Sequence, residues 1–299
     1  MNSENFKQCA ILSMDKLDDF ESYDVLLDEP LANLGWKTHT VSWRDNSIDW
    51  NQFDVVVIRS TWDYQDDPEL FIQQLKCIDQ SSARLENPLE LVLWNINKTY
   101  LKDLEQKGSY IVPTLWGKSL QQTELLAYFK QLQVDEIVIK PVISANADNT
   151  FRLTMNQAES LSDKLLSIFS TKEFMVQPFM QSIITEGEFS LFFFGGKYSH
   201  AILKKPKQHD FRVQEEHGGT LLKIEPEKAL LQQAKKLNQL LSPDPLYSRL
   251  DFVRTQTGFA IMEVELIEPS LYFNMDQFSA ERFANAFNEW MNKRSLTSV

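Results

Sequence analysis

The chain has 299 residues, of which 43% are hydrophobic, and this is enough to bury a large core and to form two or three structural units. Its formal net charge of −12 disfavours nucleic acid and anionic membranes as main partners. No apolar run approaches the roughly 20 residues that span a bilayer, the N-terminus lacks a signal-peptide pattern and the two cysteines are too few for a disulfide framework, so we expect a cytoplasmic protein.

The first 92 residues are predicted to form a parallel α/β domain. Apolar runs at residues 8–14, 37–43 and 54–58 are typical of strands, and a helical pattern between the first two ends at Gly35. In a layered domain of this kind, ligands bind at the carboxyl ends of the strands. The sequence therefore predicts a ligand site directly after residue 58.

Residues 59–64, with the sequence RSTWDY, stand at that position. They combine a cation, two hydroxyl groups, aromatic rings and a carboxylate, which suits a small zwitterionic substrate. The predicted substrate contacts are Arg59, Ser60, Thr61, Asp63 and Tyr64. The alternative is a helix-capping loop whose aromatic rings pack into the core.

A boundary is indicated at residues 85–88 (LENP), and residues 93–175 are predicted to form a second unit. A short apolar strand at residues 136–141 carries Lys140 near its end, where the lysine is either a phosphate ligand or an ordinary exposed strand-end residue. Residues 144–150 (SANADNT) form a polar loop that could cover phosphates with its backbone N–H groups.

Residues 176–299 are predicted to form the third unit. Gln177 could present its amide to the edge of a base while Met175, Phe179 and Met180 pack around the ring, and the alternative is a plain core strand. After a hairpin with a Gly-Gly turn, residues 204–212 form a basic stretch. Arg212 and the lysines of this stretch could clamp a triphosphate, whereas a solvated charged segment is the alternative. Lys204, Lys205 and Lys207 are also expected to belong to a lid that excludes water. The chain closes with an amphipathic helix whose predicted apolar side is Phe278, Phe283, Phe287 and Trp290.

The most informative stretch is a predicted β-hairpin at residues 247–267. A three-residue turn at residues 256–258 would place Asp251 opposite Glu263, and Arg249 opposite Glu265, on one face. The other face would be apolar, with Leu250, Phe252, Met262 and Val264.

Three carboxylates converge on the charged face of this hairpin, and they are costly to hold together unless a cation lies among them. Mg²⁺ is the cation that prefers such hard oxygen ligands. The sequence therefore predicts a Mg²⁺ site formed by Asp251, Glu263 and Glu265, with Glu268 following just before Pro269. A solvated acidic face balanced by Arg249 is the alternative.

Over residues 94–275 the chain resembles the ATP-grasp superfamily. Within it, the chain is similar to the glutathione-synthetase-like ligases and to the cyclo-ligases of D-cycloserine biosynthesis, through the segments RSTWDY, WNINKTYL, QPFM and MEVELIEPSL and the segment around Glu188. The resemblance implies an ATP-grasp fold behind a pre-ATP-grasp α/β domain, an α/β (α+β) architecture divided at residues 1–92, 93–175 and 176–299.

The resemblance also implies roles for individual residues. Those expected to bind ATP are Lys98 and Lys140 at the phosphates, Gln177, Phe179 and Met180 at the adenine, and Glu188 at the ribose. Arg212 and Arg249 would lie near the transferred phosphoryl group, and Asp251, Glu263 and Glu265 would bind Mg²⁺, with Mn²⁺ as an alternative. Two positions depart from the family pattern, because residues 144–150 lack glycine and Glu265 stands where asparagine is common.

The function implied is carboxylate activation by ATP, followed by attack of an amine on an acyl phosphate to form a C–N bond. The expected substrate is a small amino-acid-like molecule, with Glu268 as a further contact and intramolecular ring closure as one option. Alternatives are a peptide-tailing ligase, a non-catalytic nucleotide-binding protein and a metal-dependent phosphohydrolase. A homodimer is an expectation from the family.

Overall fold

The computed structural model describes residues 6–18 and 20–295, with side chains through residue 293. Its strands are β1 (Lys7–Ser13), β2 (Trp36–Ser42), β3 (Val55–Ser60), β4 (Arg84–Glu86), β5 (Leu115–Gly117), β6 (Glu136–Pro141), β7 (Phe151–Thr154), β8 (Phe174–Pro178), β9 (Glu188–Phe194), β10 (Lys197–Lys205), β11 (Thr220–Ile224), β12 (Tyr247–Thr255) and β13 (Gly258–Glu265). Its α-helices are α1 (Asp28–Ala32), α2 (Pro68–Asp79), α3 (Leu89–Asn95), α4 (Tyr100–Gln106), α5 (Gln122–Leu132), α6 (Met155–Ser160), α7 (Ser162–Phe169), α8 (Ser182–Thr185), α9 (Lys228–Gln239) and α10 (Ser279–Ser295). Within those ranges, no helix combines the length and the apolar composition needed to cross a bilayer.

The N-terminal domain contains a four-stranded sheet in the order β2-β1-β3-β4, in which all neighbours are parallel. This confirms the predicted parallel α/β architecture. Strand β3 is buried along its whole length, because helices and a neighbouring sheet cover both of its faces. The fourth strand, β4, lies where the sequence indicated only a boundary, since three residues are too few to show a period.

A second sheet, in the order β5-β8-β6-β7, is antiparallel and packs against α5, α6 and α7. The sequence predicted α5 and β6 but gave no signal for the two short helices α6 and α7. Strand β8 extends across residue 175, so the predicted boundary between the second and third units falls inside a strand of this sheet.

The third sheet is antiparallel, in the order β11-β10-β9-β12-β13. One of its faces packs on α4 and α9. The opposite face is divided along its length. At one end Phe192, Phe194 and Tyr247 pack against the N-terminal sheet and α10, and at the other end the same strands carry charged side chains.

The hairpin β12–β13 has the predicted charge pairs but a different turn. Thr255 pairs with Gly258, so the turn has two residues and not three. A β-bulge then inserts Met262 between the partners of Phe252 and Asp251, which shifts the register by one residue. Because of the bulge, Asp251 pairs with Glu263 and Arg249 pairs with Glu265, as predicted.

Because of the bulge, the predicted apolar face of this hairpin is wrong at one position. Ile261, and not Met262, pairs with Phe252 and belongs to the core below the sheet. Met262 is only half-buried and lines the cavity described below.

Helix α10 packs between the third sheet and the N-terminal domain. Phe283 and Phe287 are buried against Phe194 and Trp36. Phe278 was predicted to belong to this apolar side, but it lies before the helix begins and its exposure is 52%.

This packing gives a stability prediction with a matched control. Phe283→Ala is expected to lower the free energy of unfolding by about 3–5 kcal/mol, because it removes a ring at the junction of three elements and leaves a cavity. Phe278→Ala should change it by less than about 0.5 kcal/mol. Urea unfolding monitored by circular dichroism measures both, and equal effects would contradict the packing of α10.

Candidate active site

A cavity of about 270 Å³ lies where the three sheets meet. Trp62 and Tyr64 reach it from the carboxyl end of β3, Lys140 and Gln177 from the second sheet, and Glu263 from the hairpin of the third. The predicted ligand mouth after β3 therefore does open onto a cavity. Most of the residues singled out in the sequence are found in its lining.

Arg249 is the centre of the charged face of the third sheet. Its guanidinium group donates to both oxygens of Asp251, at 3.0–3.2 Å, and also to Glu265. Its Nη1 donates to the backbone carbonyl of Ser270 at 3.3 Å. Burial would raise the pKa of Asp251, but Arg249 and Lys204 hold that pKa below its ordinary value.

Lys204 lies on the floor of the cavity, and its predicted place in a lid is wrong. Its ammonium group pairs with Glu188, which lies opposite on β9, and is 3.5 Å from Asp251. The residue is 3% exposed, whereas Lys205 and Lys207 are exposed. A buried lysine between two carboxylates neutralises charge inside the sheet.

Lys98 joins the second unit to the charged face. Its Nζ is 2.7 Å from Glu263 and donates to the carbonyl of Ser144 at 2.8 Å. Burial alone would lower the pKa of Lys98, but Glu263 outweighs this and holds that pKa above its ordinary value. Lys98 is therefore a buried cation that already touches one of the predicted metal ligands.

Lys140 differs from the other cavity cations because its ammonium group has no hydrogen bond or ion pair with any residue that the structure describes. Burial lowers the pKa of its ammonium group. An ammonium group that faces a cavity without a counter-charge is available to an anionic ligand. This agrees with the role expected of Lys140 at a phosphate.

The predicted metal ligands share one face, but each is paired with a protein cation. Within residues 6–18 and 20–295, no three acidic, histidine or cysteine side chains are arranged to hold a metal ion. Mg²⁺ is usually held by only one or two carboxylates together with waters and substrate phosphates. The donor set of Asp251, Glu263 and Glu265 therefore fits a metal that binds together with a phosphate-bearing ligand.

The expected adenine contacts lie together on the opposite side of the cavity. The Gln177 amide is buried and donates to the Thr114 hydroxyl at 3.0 Å. The ring of Phe179 has the Arg152 guanidinium stacked on it, 3.7 Å from the ring centre. The Met180 side chain lines the cavity.

The loop at residues 144–150 borders the cavity and is folded without glycine. Asn146, Ala147 and Asn149 adopt positive φ angles of 52°, 57° and 48°. Asparagine tolerates this conformation better than most residues, which explains two of these three positions. The Asn146 side chain donates to the Trp62 carbonyl at 3.0 Å and so ties the loop to the N-terminal domain.

Arg212 lines the cavity but is more exposed than the other cations there. Its side chain is 39% exposed and forms a two-pronged ion pair with Asp210. This guanidinium group holds the pKa of Asp210 below its ordinary range. Arg212 is thus part of the cavity wall, as expected, with its charge directed at a neighbour.

Four of the predicted substrate contacts do not reach the cavity. Arg59 is fully buried and pairs with Asp24, and Thr61 is buried beside it in sequence. Ser60 is buried against Ser13, and Asp63 pairs with Arg44. The remaining member, Tyr64, does line the cavity, as does Trp62, which was not among the predicted contacts. The composition of the segment does not show which of its side chains point into a cavity, and this is why the prediction included four residues that do not line it and omitted Trp62.

Glu268 lines the cavity, as expected for a substrate contact. Burial raises the pKa of its carboxyl group to about 7. Burial likewise raises the pKa of Glu265 to about 8, and the nearby Asp251 and Glu263 contribute. Ser270, whose hydroxyl is buried without a hydrogen-bond partner, also lines the cavity and was not predicted.

Two family models match the chain. Residues 9–87 match the N-terminal domain of D-cycloserine synthetase DcsG, and residues 98–278 match the ATP-grasp domain of prokaryotic glutathione synthetase. Together the two matches cover both the N-terminal domain and the cavity-forming sheets.

Relatives and solved structures agree with these matches. The cycloserine biosynthesis protein DcsG of Streptomyces lavendulae is 28% identical over 279 residues, covering 87% of this chain and 91% of that protein. The crystal structure of D-cycloserine synthetase DcsG superposes with a TM-score of 0.82 at 26% identity, covering 95% of this chain and 99% of that one. The D-alanine–D-alanine ligase of Bacillus anthracis shares the fold, with a TM-score of 0.68 at 11% identity and coverage of 98% and 100%. The ATP-grasp ligase PsnB, solved with a minimal precursor, Mg and ADP, also shares it, with a TM-score of 0.63 at 12% identity and coverage of 95% and 98%.

A stability measurement can decide whether Lys204 is a buried counter-charge in the cavity floor or a solvated residue of a lid. Lys204→Met is expected to lower the free energy of unfolding by about 3–5 kcal/mol, because Glu188 and Asp251 lose a buried counter-charge. The adjoining exposed Lys205→Met should change it by less than about 0.5 kcal/mol. Urea unfolding at neutral pH compares the two variants, and similar values would argue that Lys204 is solvated.

The buried Glu268 carboxyl gives a pH-dependent prediction. Its folded-state pKa of about 7 lies above the ordinary value of 4.5, so the folded protein binds the extra proton. The stabilisation from this proton is complete below about pH 4.5 and is lost as the pH rises through about 7. Glu268→Gln should therefore gain stability relative to the parent protein between pH 5 and pH 8.5, on the order of 1–2 kcal/mol.

Thermal unfolding at the two pH values measures this difference, and exposed Glu216→Gln serves as the control. A Glu268→Gln effect of the same size at both pH values would show that the carboxyl is not perturbed by burial.

Proposed function

Because the chain belongs to the ATP-grasp domain family of prokaryotic glutathione synthetases, and is thus a carboxylate–amine ligase that forms C–N bonds, we propose that it activates a small amino-acid-like substrate as an acyl phosphate. One observation carries the proposal. A cavity formed by all three sheets places the unpaired Lys140 and the Lys98–Glu263 pair beside the carboxylates of the hairpin. Cations for phosphates and oxygen ligands for a metal are therefore available in one cavity.

The nucleotide lies between the second and third sheets in this proposal. Lys98 and Lys140 bind its phosphates as point charges. Gln177, Phe179 and Met180 surround the adenine, and Glu188 accepts from the ribose hydroxyl groups. The proposal is supported by the common cavity that these side chains line. It is also supported by the Met180 backbone N–H, for which the described part of the chain offers no acceptor.

Mg²⁺ would be held by Asp251, Glu263 and Glu265. When bound, such a metal offsets charge that develops on transferred phosphoryl oxygens. The remaining stabilisation of charge comes from side chains of the protein. Arg249, fixed by Asp251 and Glu265, presents a charge beside the reacting groups, and Arg212 adds a second from the cavity wall.

The reaction needs no protein nucleophile. A carboxylate oxygen of the substrate attacks the γ-phosphorus of ATP and releases ADP, and an amine nitrogen then attacks the acyl carbon and releases phosphate. The loop at residues 144–150, tied to Trp62, and the wall at Arg212 limit the access of water to the acyl phosphate.

Intramolecular ring closure is the form of this reaction that the comparisons favour most. The N-terminal domain matches that of D-cycloserine synthetase in particular, and it supplies Trp62 and Tyr64 to the cavity. In that form the carboxylate and the amine belong to one molecule. The peptide ligases among the structural neighbours share only the fold at their low identity.

The test is phosphate release from Mg·ATP across a panel of amino acids, dipeptides and O-substituted serines. We expect one class of small amino acids to stimulate release, and Glu263→Gln to lower the stimulated rate by about 100-fold or more because a metal ligand is lost. Exposed Glu216→Gln is the matched control and should keep the rate. Mass spectrometry of the product separates ring closure, which yields the substrate less one water, from condensation of two molecules.

Nucleotide binding without stimulation by any panel member would reduce the protein to a nucleotide-binding module. Turnover of ATP with no carboxylate or amine present, at the same rate as with them, would favour a phosphohydrolase. Stimulation by dipeptides alone would favour a peptide-tailing ligase.

A further inference from the structure

A short irregular segment after β13, residues 268–271, is held by all of its backbone carbonyls. Each of the four successive carbonyl groups is hydrogen-bonded to a different side chain: Glu268 to Trp62 Nε1 at 2.8 Å, Pro269 to Arg59 Nη2 at 3.0 Å, Ser270 to Arg249 Nη1 at 3.3 Å and Leu271 to His200 Nε2 at 3.2 Å. We refer to residues 268–271 as the clamped segment.

The four partner side chains are themselves buried. Their exposures are 0% for Arg59, 3% for His200 and 8% for Trp62 and Arg249. Two of them belong to the RSTWDY segment of the N-terminal domain and two to the third sheet. A site is held to a fixed geometry when residues behind it lock its position, and here the supports come from two domains.

The clamped segment presents two side chains to the cavity, those of Glu268 and Ser270. Glu268 is a half-buried carboxylate that, apart from its own backbone N–H, has no hydrogen-bond or ion-pair partner among the residues that the structure describes. The other buried carboxylates of the charged face are paired with Lys98, Lys204 or Arg249. The Ser270 hydroxyl is also buried without a partner.

An unpaired carboxylate and an unpaired hydroxyl in one cavity wall are complementary to a cationic hydrogen-bond donor. A substrate carboxylate or phosphate would be repelled there, whereas an ammonium group offers a positive charge and three donors. Trp62 and Tyr272 line the same cavity, and aromatic rings of this kind can attract a cation.

We propose that Glu268 and Ser270 bind the ammonium group of the amino-acid substrate, and that Arg59 and Trp62 are positioning residues that hold the clamped segment for this purpose. The inference rests on the proposed ligase function and assigns the substrate class, an α-amino acid with a free ammonium group. Arg59 acts without touching the substrate, since it is buried behind the cavity wall.

The first test measures binding of named probes by calorimetry, with and without a non-hydrolysable Mg·ATP analogue. The probes are D- and L-serine and D- and L-alanine, and the matched probes that lack the ammonium group are D- and L-lactate. We expect at least one amino acid to bind and the lactates not to bind. Glu268→Gln should raise the Kd of that amino acid by about 10-fold or more, because a charged hydrogen bond is lost.

Glu216→Gln is the control for Glu268→Gln, because it removes a charge at the exposed rim of the same cavity. It should change the amino-acid Kd by less than about twofold, and neither variant should change the Kd of the nucleotide. The assignment of Glu268 would be overturned if the two variants weakened amino-acid binding equally. It would also be overturned if lactate bound as well as alanine, or if none of the amino acids bound. If the parent protein does not bind the nucleotide analogue, the proposed ligase function itself is contradicted.

The second test addresses the positioning role. Arg59→Lys keeps a positive charge beside Asp24 but shortens the reach to the Pro269 carbonyl, whereas Asp24→Asn disturbs the same buried ion pair and leaves that hydrogen bond in place. We expect Arg59→Lys to raise the amino-acid Kd several-fold with the nucleotide Kd unchanged, and Asp24→Asn to leave both unchanged. If the two variants change the amino-acid Kd equally, or neither changes it, the positioning role is refuted.

Discussion

Carboxylates removed from water need a counter-charge, and this requirement shapes the junction of the three sheets. Asp251, Glu263 and Glu265 would each cost several kcal/mol if buried alone. Arg249 satisfies two of them, while Lys98 crosses from the second unit to satisfy the third. The second unit and the third sheet are therefore joined by an ion pair inside the cavity. An uncharged interface would join them as firmly, but it would leave nothing for an anionic ligand to bind.

The register of the third sheet brings these charges together, and only part of it is readable from sequence. Both of its hairpins combine a two-residue turn with one bulge, at Ser199 in β10 and at Met262 in β13. Each bulge shifts the pairing by one residue, so that Lys204 meets Glu188 and Asp251 meets Glu263. In the hairpin of β12 and β13, a three-residue turn without a bulge predicts the same pairs. The prediction of the charged face was therefore correct although its turn was wrong. For the hairpin of β9 and β10 the turn alone would place Lys204 opposite Gly187 and not Glu188. The expectation of a lid came from the basic composition of residues 204–212, which carries no information on register.

The N-terminal domain was predictable as a layered fold, because buried parallel strands are continuous apolar runs. The contribution of this domain to the cavity was not predictable, because RSTWDY has the composition of a binding loop whichever way its side chains point. In the structure Arg59 points away from the cavity and holds the Pro269 carbonyl, 210 positions further along the chain. Such a partner lies beyond any local pattern. The segment was therefore predicted correctly to reach a cavity, but four of its five predicted contact residues do not belong to the lining of that cavity.

The cations of the cavity have two possible partners in the proposed reaction. Lys98 contacts Glu263, and it is also the residue expected at the phosphates of ATP. A phosphate that draws Lys98 away leaves the Glu263 carboxylate without a counter-charge, and a buried carboxylate in that position favours a divalent cation. Nucleotide and metal binding should thus reinforce one another. The phosphate leaves the Glu263 carboxylate uncompensated and so favours the metal ion, and the metal ion compensates Glu263 and so frees Lys98 for the phosphate. Glu268 forms no ion pair with Lys98, which acts on it only as a nearby charge that lowers its pKa, and so the Glu268 carboxylate remains available to the ammonium group of the substrate.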